Sequence, residues 1–237
     1  MKLEVFDDAD SVARAGASAI AAEARAAVSS RSLFTLAVSG GHTPWIMLRA
    51  LANEDVPWAS VHLFQIDERV APEGHPDRNL THLRESLLEH VPLPSKQVYA
   101  MPVESPNLQA AAAQYASVLR DVAGSTSVLD LVHLGLGPDG HTASLVPGDP
   151  ALDIDNADVA VTGVYQGRRR MTLTYPVLNR ARRVLWIVTG GEKVEMLRRL
   201  RAGDRSIPAG RVRSDDAILL ADRAATGQLT AQTGTGA

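Results

Sequence analysis

The fold class of this 237-residue chain is best indicated by one segment, Leu129-Asp130-Leu131-Val132-His133-Leu134-Gly135-Leu136-Gly137-Pro138-Asp139-Gly140-His141-Thr142-Ala143-Ser144. Its first part, residues 129–134, is a mostly apolar run that predicts a buried β-strand. The chain leaves this strand through Gly-x-Gly and Asp-Gly, which indicate a turn, and the turn ends in His141. In α/β proteins the loops at the carboxyl ends of parallel strands carry the chemistry. His141 is therefore the first candidate for a catalytic base.

Strand and helix patterns alternate on both sides of this stretch. The predicted strands cover residues 2–6, 33–38, 61–66, 129–135, 158–162, 171–174, 184–189 and 217–221. The predicted helices cover residues 10–28, 43–52, 80–90, 108–123 and 192–202. Strands separated by helices of this length predict parallel βαβ units, with helices on both faces of the sheet. The fold class is therefore α/β, with the carboxyl ends of the strands at one edge.

The chain shows no internal boundary between residues 1 and 222, because no linker, charge block or repeat interrupts it. We therefore expect one domain over residues 1–223. Residues 224–237 lack apolar periodicity and are expected to form a disordered tail.

Composition excludes several classes of protein. A net charge of −3 and a pI near 6.2 oppose the basic face that nucleic-acid binding needs, although a local cationic pocket can still bind a small anion. The absence of cysteine excludes disulfides and thiolate chemistry. No segment resembles a secretory signal, and the longest apolar runs of about five residues fall far below the ~20 that span a bilayer. We expect a cytoplasmic protein without nucleic-acid or membrane partners.

A second glycine turn, Ser39-Gly40-Gly41-His42-Thr43-Pro44, follows a predicted strand and opens a helix. Two glycines let a ligand approach the backbone, and the start of a helix offers unpaired N–H groups to an anion. Thr43 at the cap and Pro44 after it are typical of a helix start. Phosphate binding and a plain tight turn both remain open. The motifs of nucleoside-triphosphate and dinucleotide sites are absent.

Charged residues follow other predicted strands. Asp67-Glu68-Arg69, with Asn79 downstream, can supply a base and a phosphate clamp, or form a solvated ion pair contributing roughly 0–1 kcal/mol. The neighbouring Ser39 turn favours a functional role. The run Arg168-Arg169-Arg170 is either a solvated face or the source of one anion ligand. Lys193 lies in the first turn of a helix, where the dipole disfavours a cation, which indicates an anionic partner nearby.

The seven histidines do not point to a metal site. His62 and His133 lie inside predicted strands and are expected to be core or sheet-face residues. No set of histidines and carboxylates has convincing ligand spacing, so no metal is predicted. The Asp139-Gly140 pair alone is explained by a chain reversal, which leaves His141 without a structural reason.

These motifs occur in the order found in a known family. Together with Met171-Thr172-Leu173-Thr174 and Gly190-Gly191-Glu192-Lys193, they resemble the 6-phosphogluconolactonase family of the glucosamine-6-phosphate isomerase/6-phosphogluconolactonase superfamily. The resemblance spans roughly residues 1–222, and its most specific block is Gly-Pro-Asp-Gly-His-Thr-Ala-Ser. It implies a Rossmann-like three-layer α/β/α domain. It also implies hydrolysis of 6-phospho-D-glucono-1,5-lactone to 6-phosphogluconate, without metal or cofactor.

The resemblance also implies site residues. The expected catalytic residues are His141, as the base, and Asp139, which orients His141 or the sugar hydroxyls. The expected substrate ligands are Ser39, Gly40, Gly41, Thr43, Asp67, Arg69, Asn79, Gly137, Arg168 and Lys193. Many members have Ser-Pro-Lys-Pro-Pro before the Arg-Ile-Thr-Leu-Thr strand, whereas this chain has Val164-Tyr165-Gln166-Gly167-Arg168-Arg169-Arg170. We take Arg168 as the replacement for that lysine, with Arg169 and Arg170 as alternatives.

A lactone is an activated ester, so a neutral imidazole can deprotonate a water molecule that attacks C1. Backbone N–H groups of the turn at residues 137–140 are candidates to bind the resulting oxyanion. We expect a monomer or a weak homo-oligomer.

Two alternatives remain. Deaminases of the superfamily carry Asp-Gly-His-Ile-Ala-Phe-Asn-Glu, but Val146 stands at the position of that glutamate. A non-catalytic sugar-phosphate sensor would keep Ser39, Gly41 and Arg69 without needing His141.

Overall fold

The computed structural model describes residues 1–227, and residues 228–237 lie outside the described part. Its strands are β1 (Lys2–Phe6), β2 (Phe34–Val38), β3 (Val61–Gln65), β4 (Asp67–Arg69), β5 (Val98–Tyr99), β6 (Leu131–Gly135), β7 (Val159–Val161), β8 (Arg170–Leu173), β9 (Arg183–Val188) and β10 (Ile218–Asp222). Its α-helices are α1 (Ala9–Arg31), α2 (His42–Leu51), α3 (Asn79–Ser86), α4 (Leu108–Ala123), α5 (Tyr175–Arg180) and α6 (Val194–Arg201).

Seven strands form one parallel sheet in the order β1-β10-β9-β6-β2-β3-β5. Helices α1, α2 and α3 contribute buried apolar side chains to the core on one face, and α4, α5 and α6 contribute to the core on the other. The arrangement is a three-layer α/β/α fold. The prediction of an α/β fold with a mostly parallel central sheet is confirmed.

The two apolar cores explain why the central strands are continuously apolar rather than alternating. In β9, Trp186 packs in the core formed with α4, α5 and α6, whereas Leu185 and Ile187 pack on the face of α1 and α2. Side chains of a strand alternate between faces, so a strand covered on both faces is apolar at most of its positions.

A second, antiparallel sheet in the order β4-β8-β7 stands apart from the main sheet. Two of its strands occupy segments predicted as strands (158–162 and 171–174), but the pattern did not indicate a separate sheet. Its third strand, β4, is Asp67-Glu68-Arg69, which has no apolar residue. Strand propensity misses such a segment because its pairing partner, not its composition, makes it a strand.

Several boundaries differ from prediction. The predicted helix at residues 80–90 ends at Ser86 and continues as the 3₁₀ turn Leu88–His90, and the predicted helix at 192–202 begins as the 3₁₀ turn Gly191–Lys193. The short elements β5 and α5 were not predicted. Within the segment expected to be a tail, Ala225 is fully buried and donates its N–H to Asp222 Oδ1 at 2.7 Å. The rest of that prediction, residues 228–237, lies outside the described residues.

The order β9-β6-β2-β3 brings four chain segments to one edge of the main sheet. Residues 39–41 follow β2, Asp67 follows β3, residues 136–141 follow β6, and residues 189–193 follow β9. Because all four strands are parallel, these segments meet at their carboxyl ends.

Candidate active site

A cleft of about 190 Å³ lies at this carboxyl edge. Five of the residues predicted to bind substrate or perform catalysis line it together: Ser39, Asp67, Gly137, His141 and Lys193. These residues come from the segments after β2, β3, β6 and β9, and parallel strand order alone accounts for their meeting.

His141 is held by Asp139 from the same turn. The Nδ1 atom lies 2.5 Å from Asp139 Oδ1, and the same oxygen accepts the backbone N–H of His141 at 3.1 Å. An ionised carboxylate only accepts hydrogen bonds, so we assign the ring proton to Nδ1, which leaves Nε2 as the acceptor. About 20% of the His141 side chain is exposed, so this acceptor is accessible from the cleft.

The second oxygen of Asp139 is also bound. Tyr165 donates its hydroxyl to Oδ2 at 3.0 Å. Burial raises the pKa of Asp139, but the hydrogen bonds from the His141 backbone and ring and from Tyr165 outweigh it, so the pKa lies below its ordinary value. Asp139 is therefore an anion at neutral pH. Tyr165 was not predicted, because it lies 26 residues away in a segment that departs from the family motif.

Gly137 makes room for the base. A Cβ at this position would overlap the imidazole ring of His141. The Gly137 N–H donates to the carbonyl of His141 at 2.8 Å, and the Gly140 N–H donates to the carbonyl of Gly137 at 3.0 Å. Both groups are occupied inside the turn and Pro138 has no N–H, so among the expected oxyanion donors of residues 137–140 the N–H of Asp139 remains the candidate. Gly137 serves the site through its missing side chain.

The Ser39 turn brings a hydroxyl and the start of α2 to the cleft. Ser39 is buried, and its Oγ has no hydrogen-bond partner among the described residues. Gly41, with φ 135°, is the N-cap of α2, and no side chain caps the helix there. Thr43 instead shares a 2.6 Å hydroxyl contact with Thr189, which ties the helix start to the segment after β9. The turn thus leaves donors available to a ligand.

Asn79 binds to the protein backbone and does not line the cleft. Its Nδ2 donates to the carbonyl of Asp67 at 2.9 Å, and it is buried against Gly40, where a Cβ would overlap it. Asp67 in turn accepts the hydroxyl of Ser144 at 2.7 Å. Gly40 and Asn79 therefore position Asp67 and the Ser39 turn relative to each other.

Glu68 shows that the Asp-Glu-Arg segment is not a solvated ion pair. Its side chain is fully buried, and its carboxylate accepts the N–H groups of Asn79 at 2.7 Å and Leu80 at 2.8 Å, at the start of α3. The Nε of buried Arg78 lies 3.1 Å from it. This contact network attaches α3 to β4 beneath the cleft.

Arg69 and Arg170 face each other across β4 and β8 as register partners. Arg170 is 4% exposed, and burial followed by the charge of Arg69 lowers its pKa. The Nε atoms of both are buried without a hydrogen-bond partner among the described residues. Arg170 also approaches Ser144 Oγ at 3.5 Å, the hydroxyl that binds Asp67. One terminal nitrogen of Arg69 donates to the carbonyl of Asp77, and one of Arg170 donates to Gln166 Oε1. The pair therefore concentrates positive charge beside Asp67, which favours an anion nearby.

Arg168 does not line this cleft. Its Nε donates to Asp77 Oδ2 at 2.9 Å, and one of its terminal nitrogens lies 3.2 Å from His75 Nε2. It lines a different, largely apolar cavity of about 550 Å³ between residues 70–73 and 103–108. The role of Arg168 as a substrate ligand stays a prediction: its guanidinium is paired with Asp77, whose carbonyl also accepts from Arg69, whereas Arg170 lies beside Arg69 on the next strand. The strand register, which the sequence does not reveal, sets which arginine lies beside Arg69.

Lys193 brings a cation to the cleft from the segment after β9. Its side chain is 18% exposed, and its Nζ lies 3.6 Å from Glu192 Oε1. It belongs to the 3₁₀ turn Gly191–Lys193, which follows β9. The predicted placement of Lys193 at the anion site is compatible with this position.

Within residues 1–227, no three His, Asp or Glu side chains cluster in a way that would hold a metal ion. No helix in the same range has the length and apolar character needed to cross a membrane.

Comparison with known proteins places the chain. A family model described as glucosamine-6-phosphate isomerases/6-phosphogluconolactonase matches residues 7–220. A 6-phosphogluconolactonase of Mycobacterium tuberculosis is 35% identical over 241 residues, 96% of this chain and 98% of the relative. One of Nostoc sp. is 33% identical over 236 residues, again 96% and 98%. The crystal structure of 6-phosphogluconolactonase from Thermotoga maritima is similar with a TM-score of 0.82 and 26% identity, over 93% of this chain and 98% of that one.

Proposed function

The chain belongs to the family of glucosamine-6-phosphate isomerases and 6-phosphogluconolactonases, and on that premise we propose that it hydrolyses 6-phospho-D-glucono-1,5-lactone to 6-phospho-D-gluconate. The observation that carries the proposal is the position of His141. Its Nδ1 is held by Asp139, and its ring lines a cleft shared with Ser39 and Lys193. Full-length relatives named 6-phosphogluconolactonase support the choice of substrate.

His141 acts as general base. Nε2 takes a proton from a water molecule as its oxygen bonds to C1 of the lactone. The tetrahedral intermediate collapses with cleavage of the bond between C1 and the ring oxygen. The imidazolium returns the proton to that oxygen, which becomes the hydroxyl at C5. Asp139 stays ionised throughout and stabilises the imidazolium, as its lowered pKa allows. The steps need no metal or cofactor, because a lactone is already an activated ester.

The phosphate is bound away from the base. Ser39 offers a free hydroxyl, and the first N–H groups of α2 point to the anion with the positive end of the helix dipole. Lys193 adds a cation at the cleft, and the Arg69–Arg170 pair adds two more beside Asp67. Binding energy from the phosphate holds C1 against His141 and converts attack by water into an oriented reaction.

The deaminase alternative lacks its acid–base partner. Val146, at the position of the deaminase glutamate, is only 5% exposed and packs in the core. A buried valine neither accepts nor donates a proton. The sensor alternative leaves the Asp139–His141 pair without a role.

The test is a pH-stat assay of acid release from 6-phospho-D-glucono-1,5-lactone, corrected for spontaneous hydrolysis. We expect enzyme-dependent acid release, and no ammonia from glucosamine 6-phosphate. Ammonia release would replace the proposal by the deaminase function. Binding of 6-phosphogluconate without any turnover would replace it by a sensor.

A further inference from the structure

A tight hairpin carries Tyr165 to the active site. Tyr165 and Arg168 pair across a two-residue turn, with N–O distances of 2.9 and 3.2 Å in the two directions. The turn residues Gln166 and Gly167 have φ values of 50° and 78°, both in the left-handed region. Such turns match the twist of the flanking strands and set their register. The hairpin therefore holds Tyr165 in one place.

Tyr165 contacts three groups of the site. Its hydroxyl donates to Asp139 Oδ2 at 3.0 Å. Its ring meets the His141 ring edge-on, with 5.5 Å between centroids. The guanidinium carbon of Arg170 lies 4.9 Å from the centroid of the same ring. One side chain thus touches the base, its carboxylate partner and the buried arginine.

The carboxylate of Asp139 needs such a contact. Its side chain is 34% exposed, and rotation of an aspartate about its last torsion is only weakly restricted. If it rotated, Oδ1 would leave the Nδ1 of His141 and the ring would lose its orientation. A hydrogen bond on Oδ2 resists this rotation, because both oxygens are then tied to fixed donors.

We propose that Tyr165 is a positioning residue of the reaction: by donating to Oδ2 of Asp139, it holds Oδ1 on the His141 ring and keeps Nε2 directed at the substrate. This inference rests on the proposed lactonase function. Tyr165 itself is not assigned any contact with the substrate.

The test compares Tyr165→Phe with Tyr99→Phe. The first change removes the hydroxyl that donates to Asp139 and keeps the aromatic ring in contact with Arg170. The matched control changes Tyr99 on β5, outside the cleft, and removes a hydroxyl that lies 2.9 Å from His62 Nδ1. We expect Tyr165→Phe to lower kcat about tenfold, equivalent to ~1.4 kcal/mol, with KM within about twofold of wild type. Tyr99→Phe should leave both constants unchanged.

The pH profile supplies a readout that a packing role would not move. Asp139 is faced by His141 from its own turn, Tyr165 from the hairpin and Arg170 from β8. Loss of the Tyr165 hydrogen bond removes an interaction that favours the ionised carboxylate. The loss of kcat that accompanies protonation of Asp139 at low pH should therefore begin at higher pH in Tyr165→Phe and stay in place in Tyr99→Phe.

A double-mutant cycle with Asp139→Ala completes the test. If Tyr165 acts through Asp139, then Tyr165→Phe causes no further loss of kcat in the Asp139→Ala background. An unchanged kcat and pH profile in the single variant overturns the inference, as does a full tenfold loss that persists without Asp139. A wild-type protein without lactonase activity overturns the proposed function instead, so the two failures are distinct.

Discussion

In the turn after β6, the imidazole ring of His141 lies in the space that a Cβ of residue 137 would fill, and Gly137 leaves that space open. The carbonyl of His141 also accepts the N–H of Gly137 at 2.8 Å. The missing side chain of one residue and the orientation of the other are therefore one structural feature. The glycine of the motif permits the histidine to reach Asp139.

Gly137→Ala should displace the His141 ring from Asp139. A misplacement of about 1 Å can cost a factor of about 100, so we expect kcat to fall by that order. The control is Ser125→Ala, at an exposed residue in the turn after α4 and outside the cleft, and it should keep kcat near that of wild type. The measurement is the pH-stat assay, with thermal unfolding to check the fold. Equal kcat in both variants would contradict this account of the turn.

His141→Asn should remove most of the catalysed hydrolysis. General acid–base catalysis contributes a factor of about 100 to 10,000, and the loss should fall in this range. Binding of 6-phosphogluconate should be retained, because the proposed phosphate ligands Ser39, Lys193 and Arg170 are unchanged in this variant. Isothermal titration calorimetry measures this binding, and His90→Asn, in the 3₁₀ turn Leu88–His90, is the control. Near-normal turnover in His141→Asn would exclude the proposed base.

Arg170→Met and Arg168→Met separate the two candidates for the phosphate ligand. Arg170 is buried beside Arg69, whereas Arg168 pairs with Asp77. We expect the first change to raise KM by at least about tenfold, the order of one charge-assisted hydrogen bond, and the second to leave KM nearly unchanged. Inhibition by inorganic phosphate should weaken in parallel. The reverse pattern would restore Arg168 as the replacement for the family's lysine.

His133 should make stability depend on pH. It is fully buried in β6, and burial lowers its pKa to about 3, while neither ring nitrogen has a hydrogen-bond partner among the described residues. Below the ordinary pKa of histidine the unfolded chain binds a proton that the folded chain rejects, so stability falls as pH decreases from about 6.5 towards 3. The slope for one such group approaches ~1.4 kcal/mol per pH unit.

Urea unfolding at several pH values between 7 and 4 measures this slope. His133→Leu removes the titrating group and should flatten the profile, and His90→Gln should keep the wild-type slope. A profile equally steep in His133→Leu would assign the pH dependence to other groups.

Much of the fold follows from local sequence. Six of the seven strands of the main sheet were predictable because the central strands are largely apolar and the helices between them have helical periodicity, as in β9 and α4. The glycine turns were visible for a similar reason, since Ser39-Gly40-Gly41 and Gly135-Leu136-Gly137 stand directly after such strands. Candidate residues at the carboxyl edge then follow from parallel topology.

The antiparallel sheet β4-β8-β7, and the side-chain contacts that it creates, could not be predicted from local sequence. Strand β4 consists of three charged residues, and its identity depends on pairing with β8. That register places Arg170 opposite Arg69, and the hairpin between β7 and β8 delivers Tyr165 to Asp139. Composition carries no record of contacts between segments 26 or more residues apart.

By itself, the sequence determined the layered fold, the turn that carries His141 and the family resemblance, because periodicity and short motifs are local properties of a chain. Only the tertiary structure decided that Arg170 stands beside Arg69, that Tyr165 donates to Asp139, and that Gly137 leaves space for the His141 ring. Each of these depends on strand register or on close packing between distant segments, and neither is encoded in any single stretch of residues.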